Sequence, residues 1–367
     1  MIGRYIIFAS VHLFVTFSTL KILSIILPCS VTCYCSCAAN FLLCLFVAIL
    51  TFGFTKKRGL NDKIQPSYKA VLITGCDTGF GNALAKQLDT KGFHVFASCL
   101  SKNSPGADDL RKSCSDRLKV LEMDVTKDES VKDAVQFVKY NLGTCVLWAV
   151  VNNAGIQKGF TTELSRMQDF KDTMEVNAFG PVRVTKAFLP LLKQSKGRVI
   201  NVASVAGRLP MAHSASYAMS KHACVGFSKS IRLELDVWGI QVISIEPAFF
   251  KTPLADPENI SKRIDESFEH IDEDIRNDYG DAYFKKFKEK CHHLFGLSFY
   301  TSNIHFVIDD IETAVSVQYP DTVYTPCGSI FILIFIKCAQ LVPDHLQILF
   351  LKFFSNFVGF PKPIKAN

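Results

Sequence analysis

Hydrophobic and polar positions divide the chain into three unequal parts. Residues 1–58 hold two apolar runs, 5–28 and 37–54, separated by "CSVTCYCSC". The second run carries no charge and stops at Lys56, Lys57 and Arg58, the pattern of a transmembrane helix with a basic stop. The first run contains His12 and Lys21, so the segment reads as a retained membrane hairpin or a single anchor. No small-residue site follows that would make it a cleaved signal peptide. From Tyr68 onward, apolar strands alternate with amphipathic helices. Strands are predicted at 69–74, 94–100, 118–125, 147–155, 197–204 and 240–247, and helices from 82, at 128–141, 166–193 and 217–238. The strands are continuously apolar rather than alternating, as in a parallel sheet covered on both faces. The fold class is therefore α/β, a Rossmann-type doubly wound parallel sheet. This catalytic domain is expected to span 66–328.

Two later stretches differ. Residues 253–295 are helical and densely charged, which suits a solvated helical pair; their position after a strand's carboxyl end also suits a lid, within 253–300, over a substrate pocket. Residues 329–367 are apolar again but interrupted by Lys337, Asp344, His345 and Lys352. They read as membrane-surface or pocket-lining helices, with a third span as the runner-up.

Composition sharpens this picture only in part. The chain has 367 residues, 49% of them apolar and 20% charged, and the excess of apolar residues lies at the two ends. The net charge of +7 forms no basic stripe interleaved with aromatics, so no nucleic acid partner is expected. Among thirteen cysteines, Cys29, Cys33, Cys35 and Cys37 cluster without a histidine at ligand spacing, so no metal site is expected. The others stand singly in apolar surroundings, as buried thiols do.

Chemistry enters with "TGCDTGFG" (74–81), directly after the first strand. Gly75 permits a tight turn, Gly79 lets the backbone approach a pyrophosphate, and Gly81 allows close helix packing. The helix that follows offers its free N–H groups to phosphates. A cofactor selector is expected at the end of the second strand. Leu100 stands where an arginine would favour NADP, so NAD is the expected cofactor, with Lys102 the one residue nearby able to reach a 2′-phosphate. Further on, Tyr217 and Lys221 stand four apart on a helix, sharing one face.

"TGCDTGFG", Asp124 in "MDV", "NNAG" (152–155), "VNAFG" (176–180), "NVAS" and "YAMSK" (217–221) occur together and in order. In this the chain resembles the short-chain dehydrogenases/reductases, and within them the membrane-bound hydroxysteroid and retinol dehydrogenase branch. The resemblance implies four catalytic residues. Tyr217 is the general acid or, as phenolate, the base; the Lys221 ammonium favours the phenolate and holds the nicotinamide ribose. Ser204, 13 residues before Tyr217, hydrogen-bonds the substrate oxygen. Asn177 holds a water that relays protons to solvent. Ser204 and Tyr217 are thus also the substrate-binding residues.

For the cofactor, the resemblance implies contacts from Gly75, Asp77, Thr78, Gly79, Phe80 and Gly81, from Asp124 and Val125 at the adenine, and from Asn153, Ala154 and Gly155. Tyr217, Lys221, Pro247 and Thr252 would hold the nicotinamide end. One position departs from the pattern: Ala248 follows Pro247 where the family has glycine. The expected activity is NAD-dependent oxidation of a lipophilic alcohol to a ketone or aldehyde, a steroid 17β-hydroxyl first, retinol second and 3-hydroxybutyrate third. A non-catalytic NAD-binding membrane scaffold is the alternative. The resemblance also implies a homodimer through the helices near 166–193 and 217–238. Contact with membrane lipid and residence in the endoplasmic reticulum membrane are expected, the mitochondrial membrane being the alternative. The basic cluster Lys56, Lys57 and Arg58 predicts a cytosolic catalytic domain, with a luminal one as the alternative.

Overall fold

The computed structural model describes residues 2–26, 44–49, 51, 62–296 and 301–366. Contacts divide the chain into two units, Met1–Gln65 with Ser316–Pro320, and Pro66–Val315 with Asp321–Asn367. In the first, α1 spans Ile2–Ile26 and residues 44–49 are helical. Thr16 and Thr51 hydroxyls meet at 2.6 Å, and the segment around Lys63 pairs antiparallel with Val317. Among the described residues, no helix is long and apolar enough to cross a membrane. The anchor expected over 37–54 falls mostly outside them.

The second unit is built on seven strands: β1 (Lys69–Ile73), β2 (His94–Cys99), β3 (Leu118–Glu122), β4 (Val146–Asn152), β5 (Arg198–Val202), β6 (Gln241–Ile245) and β7 (Val323–Tyr324). All pair in parallel, in the order β3-β2-β1-β4-β5-β6-β7. The helices are α2 (Gly79–Thr90), α3 (Pro105–Ser113), α4 (Asp128–Asn141), α5 (Met167–Met174), α6 (Gly180–Ser195), α7 (Ala215–Asp236), α8 (Pro257–Glu269), α9 (Glu273–Tyr279), α10 (Asp281–Gly296), α11 (His305–Ser316), α12 (Ile330–Ala339) and α13 (Asp344–Val358). Helical spacing makes the covering layers: α4 buries Val131, Ala134, Val135 and Val138, one apolar stripe at i, i+3, i+4 and i+7. That stripe joins Leu72, Phe96 and Val150 of the sheet and Phe188 of α6 in one core.

The strand order reverses between β1 and β4, and in such sheets the ligand crevice lies at the strands' carboxyl ends at that point. Departures from the expected elements cluster there. β4 stops at Asn152, because the N–H groups of Asn153 and Ala154 leave the ladder and donate to Thr74 Oγ1 at 3.0 and 2.9 Å. β3 stops at Glu122, since Asp124 folds back to accept from Thr126. The helix expected over 166–193 is interrupted by a π-helical turn, Glu175–Phe179. The charged stretch makes three helices rather than two, because Gly280 (φ 75°) separates α9 from α10. β7 is an addition, too short to leave a pattern.

Candidate active site

The glycine-rich turn leaves β1 and enters α2 beneath the loop after β4. Gly75 has φ 70°, and a Cβ there would lie 2.8 Å from Ala154 Cα. At Gly81 a Cβ would lie 2.2 Å from Gly75 O. Both positions thus require glycine for close backbone approach, whereas Gly79 is favoured by its φ of 62° alone, a Cβ there meeting only Pro253 Cδ at 3.9 Å. Thr78 makes no side-chain cap, which leaves the first N–H groups of α2 for an anion. Asn153 secures the turn by donating from Nδ2 to Thr74 O (2.8 Å) and Gly75 O (3.0 Å). Phe80 packs edge-on against Phe250.

At the outer end, Asp77 accepts from the Leu100 N–H (2.9 Å) and Glu122 from the Lys102 N–H (3.2 Å). Two carboxylates therefore bracket the loop after β2, and Leu100 is 66% exposed between them. Arg111 is committed to Asp108 and to Lys102 O. Burial raises the Asp124 carboxyl, but hydrogen bonds from Thr126 and Lys127 outweigh it and hold the group below the ordinary range. Val125 packs where a Cβ on Gly180 would be, at 2.9 Å.

Asn177 and Lys221 meet at the loop after β4, Tyr217 lies beside Lys221, and the turn that opens at Ser204 lies on the same helix. Asn177 sits on the π turn; its Oδ1 accepts from Ile156 N–H (2.8 Å), and its Nδ2 donates to Ile156 O (2.8 Å) and Ser220 Oγ (2.9 Å). π turns occur disproportionately at functional sites. A Cβ on Gly155 would lie 3.4 Å from Asn177 Oδ1 and 3.6 Å from Lys221 Nζ, so both side chains converge on this exposed glycine. Lys221 is 4% exposed and donates to Val202 O at 3.0 Å; its Nζ lies 5.5 Å from the centre of the half-buried Tyr217 ring. Ser204 begins the turn after β5, and its Oγ accepts from Ala206 N–H at 3.1 Å. Gly207 lets this turn lie on α7, since a Cβ there would meet Lys221 O at 2.6 Å.

A buried polar ladder fixes the frame. Asn152 donates to Asn201 Oδ1 (2.8 Å) and Thr185 (3.1 Å), and Asn201 to Ser228 (2.8 Å), joining β4 and β5 to α6 and α7. Pro247 O accepts from Val205 N–H (3.1 Å), which ties the Ser204 turn to the end of β6. Ala248 donates to Pro326 O at 3.0 Å and does not adopt a positive φ, so the alanine costs no backbone strain. Thr252 caps the start of a 3₁₀ turn through its backbone and is half-buried nearby in sequence. Ser220, Gln157, Glu246 and Arg263 carry no local pattern, since their contacts join distant segments of the chain. An open cavity of about 670 Å³ lies between α8 and α10, and none of the four catalytic candidates lines it.

The chain belongs to the short chain dehydrogenase family, whose model matches residues 69–263, and this family membership, with the parallel sheet and the glycine turn at its switch point, makes it an oxidoreductase acting on CH–OH groups. It is 45% identical over 268 residues to estradiol 17-beta-dehydrogenase 2 of Mus musculus, covering 72% of this chain and 70% of that protein. To retinol dehydrogenase 7 of Rattus norvegicus it is 37% identical over 271 residues, 74% of this chain and 83% of that one. A short-chain dehydrogenase from Streptomyces avermitilis shares the fold, with a TM-score of 0.60 and 23% identity over 81% of this chain and 99% of that one. The fold takes NAD(H) or NADP(H), and the tight Gly75–Gly81 cradle with its uncapped helix start fits the pyrophosphate of either.

Proposed function

We propose that the protein is an NAD-dependent dehydrogenase that oxidises a lipophilic secondary or allylic alcohol, a steroid 17β-hydroxyl before retinol. The observation that carries this is the convergence of Asn177 and Lys221 on Gly155, one helical turn from Tyr217 and across Gly207 from the Ser204 turn. The names of the relatives at 45% and 37% identity support the alcohol class. NAD is favoured over NADP by Asp77 and Glu122, whose carboxylates would repel a 2′-phosphate at the end of β2.

When bound, the nicotinamide supplies the hydride acceptor. The chain's own residues handle the proton and the orientation. Ser204 Oγ accepts from Ala206, so its hydroxyl proton is free to donate to the alcohol oxygen. Tyr217 takes the carbinol proton as a base. Lys221 spends one of three N–H donors on Val202 O and keeps two for the ribose and the proton path. Both Nδ2 hydrogens of Asn177 are occupied, so it offers a relay water acceptor capacity only.

The same reading places the chain at a membrane, that of the endoplasmic reticulum, with its catalytic body cytosolic. Supporting it are the uncharged run at 37–54 with its basic stop and the apolar surface of α12 and α13, where Phe331, Ile334, Leu349 and Phe353 are exposed. The test supplies membranes bearing the full chain with NAD or NADP and a panel of 17β-hydroxysteroid, retinol and 3-hydroxybutyrate. NADH formation from the steroid, faster than NADPH formation, is expected. Intact NAD binding with no reduction from any alcohol would leave only a scaffold.

A further inference from the structure

Arg263 belongs to the charged stretch that reads as solvated, yet its guanidinium turns inward. It lies on α8, whose start is fixed by Asp256 accepting from Glu258 and Asn259 N–H groups. Its Nη2 donates to Leu254 O at 3.0 Å, and its Nη1 reaches Gln157 O at 3.5 Å. Gln157 in turn donates to Ser214 Oγ at 3.1 Å, immediately before the helix that carries Tyr217. The guanidinium is therefore held by the loops after β4 and β6, at the carboxyl end of the sheet where the alcohol must bind.

Arg183 is paired with Asp128 and Glu175, and Arg208 with Glu246. Among the described residues Arg263 has no ion-pair partner, and its Nε is buried without a hydrogen-bond partner. Burial holds it below the ordinary arginine range, while the charges of Tyr217 and Glu266 act in the opposite sense. A guanidinium has five N–H donors and no acceptor, and two are used here by carbonyls. A half-buried cation with unused donors is met best by a strong acceptor, and a carbonyl or carboxylate oxygen accepts more strongly than a hydroxyl.

We infer that Arg263 is a substrate-binding residue whose remaining donors receive an acceptor-only oxygen, a carbonyl or carboxylate, on the alcohol. The preferred substrate class is then a hydroxy-ketone or hydroxy-acid rather than an alcohol on a bare hydrocarbon. This rests on the dehydrogenase reading of Tyr217.

The experiment compares kcat and KM of the full chain with NAD and three alcohols: a 17β-hydroxy-3-ketosteroid, its 3-deoxy counterpart, and 3-hydroxybutyrate. Wild type is expected to prefer an oxygen-bearing substrate over the 3-deoxy steroid. Arg263→Leu should lower kcat/KM about 10- to 100-fold more for that substrate than for the 3-deoxy steroid, mainly through KM, the size of one charge-assisted hydrogen bond. Selective loss on the ketosteroid assigns the oxygen to a carbonyl, and selective loss on 3-hydroxybutyrate to a carboxylate. Equal losses on all substrates would mean a purely structural role and overturn the inference while leaving the dehydrogenase reading intact. Should Arg263→Leu not fold, Arg263→Lys keeps the charge but not the fork and must show the same selectivity, smaller in size; an unselective effect overturns it. Wild type that binds NAD and turns over no alcohol overturns the dehydrogenase reading itself.

Discussion

Glu246 is 1% exposed and receives both arms of Arg208, at 2.9 and 2.6 Å, together with the Ser244 hydroxyl at 3.0 Å. The pair joins the turn that opens at Ser204 to the strand end that runs into Pro247. Breaking a buried ion pair on one side leaves the other charge without compensation. Glu246→Ala is expected to cost about 3 kcal/mol, read from the urea midpoint at constant m-value; a change under about 1 kcal/mol would show that the pair is dispensable. The four catalytic candidates were legible through the resemblance, which rests on motifs kept in order along the chain, Asn177 in "VNAFG", Ser204 in "NVAS", and Tyr217 and Lys221 in "YAMSK". Arg208 and Glu246 were not: their bond spans 38 positions, and neither residue type signals burial. Arg263 was hidden for the same reason, inside a run whose charge suggested solvent.

Elements were legible where burial is continuous. Six strands appear in the apolar pattern because both faces of the sheet are covered, which leaves no polar alternation to confuse them. Their ends were less legible, since β4 is cut by hydrogen bonds to Thr74 and the long helix is broken by the turn that aims Asn177 at Ile156. The seventh strand pairs only Val323 and Tyr324 with Ser244 and Ile245, too few residues for a period. The glycine turn invites a direct prediction at this scale. In Gly81→Ala the added methyl would meet Gly75 O, a backbone atom that cannot swing aside. NAD affinity is expected to fall at least tenfold, measured by quenching or calorimetry, because the turn must open; unchanged affinity would mean the cradle is not the pyrophosphate site. A second prediction concerns α11, where burial, with Asp309 and Asp321 nearby, pushes Asp310 up to about 6. The folded state favours its neutral form, so the stability it contributes is present below the unfolded value near 4 and is lost as pH rises through about 6. Asp310→Asn should therefore match wild type near pH 4 and exceed it by about 1 kcal/mol at pH 7.5, allowing for partial exposure. Equal stabilities at both pH values would contradict this.

For the whole molecule, sheet order, glycine cradle and proton-transfer group agree on one reaction class, and family membership agrees with them. The proposed assembly and membrane contact rest on surface chemistry. Leu233 and Val237 on and beside α7, and Phe179 at the π turn, are exposed on the elements expected to pair between two copies. Such apolar exposure at helix faces is what a dimer would cover. The apolar helices at the carboxyl end would bring a lipophilic alcohol and the site into one compartment. The central claim is that Tyr217 moves the proton while hydride leaves the alcohol. Its most direct measurement is NADH formation from a 17β-hydroxysteroid by the full chain and by Tyr217→Phe, with NAD binding followed in parallel. Wild type is predicted to form NADH, and Tyr217→Phe to lose 10²–10⁴-fold in kcat, roughly the range for a general base, while still binding NAD. Equal turnover by Tyr217→Phe would contradict the account.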